Sequence, residues 1–120
     1  MTDIMTMIYE ANKGRRNLQN LHRRITKTGE ELGELGEAFL YVTSIENSKN
    51  KTWEDVREEA VDIILMGVDI ALTPLPGDEE KSPEEIEQDV VNMIVKKLEK
   101  WKAQIAAGKD CTLTKLDGLG

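Results

Sequence analysis

The chain has 120 residues, 39% hydrophobic and 32% charged, with a net charge of −7. That suits one soluble globular domain and excludes both a disordered tract and general binding to nucleic-acid backbones, which reward basic patches. The single cysteine, Cys111, rules out an intrachain disulfide and argues against a thiolate zinc site, and no apolar run nears the ~20 residues needed to cross a bilayer. The N-terminus lacks the basic-then-apolar pattern of a signal peptide, so the expected location is cytoplasmic.

Helical periodicity dominates, and an all-α fold follows. A short first helix is expected from about residue 3 to 13, capped by Asp3, with Ile4, Met7, Ile8 and Ala11 on its apolar face and a break at Gly14. A long second helix is expected from about 16 to 45. Leu18, Leu21, Ile25, Leu32, Leu35, Phe39 and Val42 recur at three- and four-residue steps and make its core stripe. Lys27, Glu31, Glu34 and Ala38 share an arc along one edge of that stripe, with Glu30 and Glu37 on the far side. Gly33 and Gly36 are poor helix residues and predict a close approach by a neighbour.

After a polar loop, Thr52 and Asp55 form a capping box that opens a third helix, expected from about 53 to 72. Its second half is apolar nearly all round, interrupted only by Asp62 and Asp69, which predicts a central, buried helix with Asp62 beside the core. Pro74, Pro76 and Gly77 mark a loop. Ser82, Pro83 and Glu85 start a fourth helix, with Ile86, Val90, Ile94, Leu98, Trp101 and Ile105 on its apolar face and Gly108 at its end. The tail to Gly120 is polar and glycine-rich.

Two acidic motifs carry the chemistry. Glu30-Glu31-Leu32-Gly33-Glu34-Leu35 and Glu58-Glu59-Ala60-Val61-Asp62 each hold two carboxylates three residues apart, on one helix face. Acidic pairs of this kind are usually solvated surface. Here they sit on consecutive helices joined by a short loop, which favours an antiparallel αα-hairpin with facing acidic arcs. Four carboxylates brought together repel unless a cation joins them, and all-oxygen ligation favours Mg²⁺ or Mn²⁺. A di-iron site would need Glu-x-x-His pairs, and the lone His22 follows no glutamate at that spacing.

The order and spacing of these motifs over residues 18–101 resemble the MazG-like all-α nucleoside triphosphate pyrophosphohydrolases. A late helix adds to the likeness: Asp89 is followed by Asn92, Lys96 and Lys97, Lys97 fitting the family's spacing better. The family often has an arginine a few residues later, where this chain has Trp101-Lys102-Ala103. The resemblance implies a four-helix core with a short extra N-terminal helix, homodimers or homotetramers, and Mg²⁺-dependent cleavage of a (d)NTP between the α and β phosphates. It assigns Glu31, Glu34, Glu59 and Asp62 to the metal, and Asn92 and Lys97 to the substrate. Lys27, one turn before Glu31, would also balance phosphate charge, and Glu34 is the expected general base. Trp53 and Trp101 can stack on a base, though tryptophans at helical spacing are more often core or interface. The alternative reading is a non-catalytic helical adaptor that keeps the fold.

Overall fold

The computed structural model describes residues 3–14 and 16–108. Four helices follow one another: α1 (Asp3–Ala11), α2 (Leu18–Thr43), α3 (Trp53–Ala71) and α4 (Pro83–Ala106), with no strand among the described residues. The chain divides into two compact units, 1–81 and 82–120. None of the described helices is long and apolar enough to cross a membrane. The expected tail, with Cys111, lies outside the described residues.

Local chemistry sets the helix ends. Asn17, in extended conformation, caps α2 by accepting the Asn20 amide at 3.1 Å, so the helix starts at Leu18 and leaves Arg16 free for another task. The capping box at α3 is complete: the Asp55 amide donates to Thr52 Oγ1 at 3.1 Å, and the Thr52 amide donates to Asp55 Oδ2 at 2.7 Å. Replacing Thr52 with alanine should cost about 1 kcal/mol in urea unfolding, and no loss would show the box to be idle. In the second unit, Ser82 and Glu85 cap α4 in the same way, with Pro83 in the first turn. Gly108 follows α4 at φ +80°, a left-handed position that suits glycine.

In the first unit α2 and α3 pack on each other, and α1 lies against α3. Cross-pairs define the register. Arg24 meets Asp69, Glu31 and Glu34 meet Glu59, and Phe39 meets Trp53 edge-on with ring centroids 6.0 Å apart. Partners descend α3 as they ascend α2, so the two helices are antiparallel, with Glu34 level with Glu59 and Glu31 level with Asp62. The loop between them is closed by Asn47, whose side chain accepts the Lys51 amide at 2.9 Å, and by Lys49, which pairs with Glu37 and lies 5.2 Å from the centre of the Tyr41 ring.

Two expectations need correction. The second half of α3 is not buried all round: Val61, Ile64 and Leu65 are 44, 61 and 42% exposed. Within its unit α3 is flanked by α2 and, near its end, by α1, and this leaves a broad apolar face open. Gly33 and Gly36 also meet no close neighbour, since a Cβ at either would find no atom within 4 Å.

Candidate metal centre

Helical spacing projects Glu31 and Glu34 from α2, and Glu59 projects from α3 at the same level. One carboxylate oxygen from each lies within 4.8 Å of the others. Glu31 and Glu59 are half-buried and Glu34 is exposed. Glu59 Oε2 is itself buried and accepts no hydrogen bond from a protein donor. Burial pushes the Glu59 carboxyl above the ordinary range, and the negative charges of Glu34, Glu31 and Asp62 push it further. Contact with the Glu31 carboxyl adds to the rise, and only a shared proton or a cation could join two such groups.

These residues fit a hard divalent ion. Neighbouring ligands of one Mg²⁺ stand about 3.0 Å apart and opposite ones about 4.2 Å, so three oxygens within 4.8 Å of one another must close by up to about 2 Å, which rotation of the glutamate side chains can supply. The buried, unpartnered oxygen of Glu59 is the kind of atom that a cation satisfies.

Lys27 sits one turn before Glu31, with Nζ 3.4 Å from Glu30 Oε2 and 3.5 Å from Glu31 Oε1. Its pKa is raised, first by the hydrogen bond to Glu30 and then by the charges of Glu30 and Glu31. It stands at the edge of the carboxylate cluster as a built-in counter-ion.

Asp62 departs from expectation. It is exposed, and it contributes no oxygen to the close group, although its charge reaches Glu59 one turn away. The acid of the apolar run that is buried is Asp69, at 5% exposure. Arg16 Nε and Nη2 donate to Asp69 Oδ1 at 2.9 and 2.6 Å, and Asn12 Nδ2 donates to Oδ2 at 2.9 Å. Arg24 pairs with the same carboxylate and donates to Thr73 Oγ1 at 3.0 Å. Arg16 also donates to the Ile8 and Tyr9 carbonyls at 3.2 and 3.0 Å, which ties the end of α1 to α3. Burial lowers the pKa of both guanidinium groups, and Arg16's charge adds to the effect on Arg24. Asp69 carried the same sequence signal as Asp62, an acid in an apolar run, but its partners are remote in sequence.

A cavity of about 720 Å³ is lined by residues of α1, α2 and α3, reaching along α2 as far as Lys27 and Thr28, one turn before Glu31. Met7, Ile8, Leu65, Met66 and Ile70 supply its apolar wall, and Arg23, Arg24 and Lys27 its cationic one. Neither the cavity nor the place of Arg23 in its wall was legible in the sequence, because both depend on how α1 packs against α3. His22 is an exposed residue of α2. Asn92 and Lys97 are exposed on α4 in the second unit, where Asn92 Oδ1 accepts Gln88 Nε2 at 3.0 Å. Trp53 and Trp101 are both largely exposed. Comparison with known protein families, with curated proteins and with solved structures found no match.

Proposed function

We propose that this chain is a Mg²⁺- or Mn²⁺-dependent nucleotide pyrophosphohydrolase of the MazG-like all-α type, converting a (d)NTP to a nucleoside monophosphate and pyrophosphate. The observation that carries the reading is the meeting of Glu31, Glu34 and Glu59 from two helices, with their oxygens within 4.8 Å. Glu31, Glu34 and Glu59 would hold the ion, with Asp62 one turn away as an outer carboxylate. A divalent ion bound there supplies positive charge that neutralises the polyphosphate, polarises the attacked phosphorus and acidifies water.

Glu34, the exposed member, would take the proton of the attacking water. The water oxygen forms a bond to the α-phosphorus, the bridging bond to the β-phosphate breaks, and pyrophosphate leaves with the bridging oxygen. The same resemblance implies the family's four-helix core type, phosphate contacts at Asn92 and Lys97, and a homodimer or homotetramer. The exposed apolar face of α3 suits such an assembly.

The test is pyrophosphate release from a panel of canonical and damaged nucleotides with Mg²⁺ or Mn²⁺. At least one should be turned over. Glu34→Ala should lower kcat by roughly 10²- to 10⁴-fold while helix content by circular dichroism stays the same. No product from any nucleotide would leave a non-catalytic helical module. Full activity in Glu34→Ala would overturn the assignment of the base.

A further inference from the structure

The wall of the cavity poses a charge problem. Three cations line it, and two are already engaged: Arg24 by Asp69 and Thr73, and Lys27 by Glu30 and Glu31. Arg23 makes no hydrogen bond or ion pair among the described residues. A lone arginine on a helix is ordinarily a solvated side chain, but this one has a particular setting. It lines a cavity that is otherwise largely apolar. It also stands one turn before Lys27, which stands one turn before Glu31, so α2 presents guanidinium, ammonium and carboxylate in successive turns of one strip. From Arg23 to Glu31 the helix rises about 12 Å, a span that a polyphosphate and two long side chains can bridge.

The chain also has no arginine after Arg57, so the late helix offers only lysines. Lysine is a point charge, whereas the planar guanidinium matches two phosphate oxygens at once. We propose that Arg23 is a phosphate-binding residue, gripping the β and γ phosphates of the nucleotide at the cavity end of the α2 strip, with Lys27 between it and the carboxylates. This rests on the pyrophosphohydrolase reading above. It assigns to the second helix a bidentate phosphate contact that the fourth lacks.

Two measurements test it. The first is steady-state kinetics of wild type, Arg23→Ala and Arg23→Lys with one purine and one pyrimidine nucleotide, with inorganic pyrophosphate and a nucleoside monophosphate as inhibitors. The expected loss in kcat/KM for Arg23→Ala is roughly 10- to 100-fold, as for a hydrogen bond to a charged group, and equal for the two bases. Pyrophosphate inhibition weakens by a similar factor, monophosphate inhibition is unchanged, and Arg23→Lys recovers part of the loss. The second is calorimetric binding of inorganic pyrophosphate with Mn²⁺, which needs no turnover. Arg23→Ala should weaken it while leaving the melting temperature unchanged, since Arg23 has no partner to lose.

Unchanged pyrophosphate binding and inhibition in Arg23→Ala would overturn the proposal and return Arg23 to the solvated surface. So would a defect confined to the monophosphate or to one base, which would place Arg23 on the nucleoside. A wild-type chain that turns over no nucleotide but loses pyrophosphate binding in Arg23→Ala would sink the enzymatic reading and keep the grip. A wild-type chain that binds no pyrophosphate would sink the grip itself.

Discussion

Replacing Glu59 with glutamine raises the melting temperature of the metal-free protein at neutral pH and removes its stabilisation by Mg²⁺ or Mn²⁺. The carboxyl of Glu59 is held above its ordinary value of 4.5 by burial and by Glu34, Glu31 and Asp62. The folded state therefore binds this proton more tightly than the unfolded chain does. Below the ordinary value both states are protonated and no penalty exists. As pH rises through the window between the ordinary and the raised value, the folded state loses stability, and the penalty persists above it. Glutamine never ionises, so the variant escapes that decline. It also lacks the charge that a cation needs. In wild type, metal at a hundred times its Kd should raise the melting temperature by roughly 10 °C, and in Glu59→Gln the shift should nearly vanish. Differential scanning fluorimetry across pH, with EDTA and with Mn²⁺, reads both effects. An equal metal-induced shift in wild type and variant would remove Glu59 from the metal site.

The largest loss of stability is expected at Asp69, away from the carboxylate cluster. Asp69→Ala leaves two guanidinium groups without their counter-charge, and the side chain of Arg16 is only 4% exposed. Removing one partner of a buried pair costs about 3–5 kcal/mol, since the desolvated charge that remains has nothing to offset it. For a chain of this length that lowers the melting temperature by roughly 12–20 °C. Asp62→Ala, at an exposed position of the same helix, should stay within about 0.5 kcal/mol of wild type. Thermal and urea unfolding of the two variants side by side gives a direct comparison. Equal stabilities would mean that the Asp69 network does not hold α1 to α3. The contrast matters for function too, because Asp69 anchors Arg24 and the end of α1, two of the boundaries of the cavity.

Much of the architecture is legible in the sequence. The capping residues Thr52 and Ser82 act within four residues of themselves, so chain order suffices to read them. The arc of Glu31 and Glu34 follows from 3.6 residues per turn, and a short loop after α2 made an antiparallel return the natural path. The observed helix ends differ from expectation by two residues at most, as at Leu18, where Asn17 takes the cap and Arg16 turns to Asp69.

Periodicity gives an angle around one helix and says nothing about what lies opposite. Asp62 and Asp69 interrupt the same apolar run, and by sequence alone they are equivalent candidates for a buried acid. The packing of α3 separated them, because Asp69 comes level with Arg24 and under Arg16, 53 residues away, while Asp62 opens to solvent. Register decided the carboxylates in the same way, setting Glu59 against Glu34 and Glu31 and leaving Asp62 outside the close group. Arg23 belongs to α2, but the cavity it lines belongs to no single helix. It exists because α1 lies against α3 and is tied there by Arg16, a contact between residues that no local rule joins. Short-range hydrogen bonding and helical geometry are properties of the chain, whereas burial and charge compensation are properties of pairs of surfaces, and only the folded arrangement says which surfaces meet.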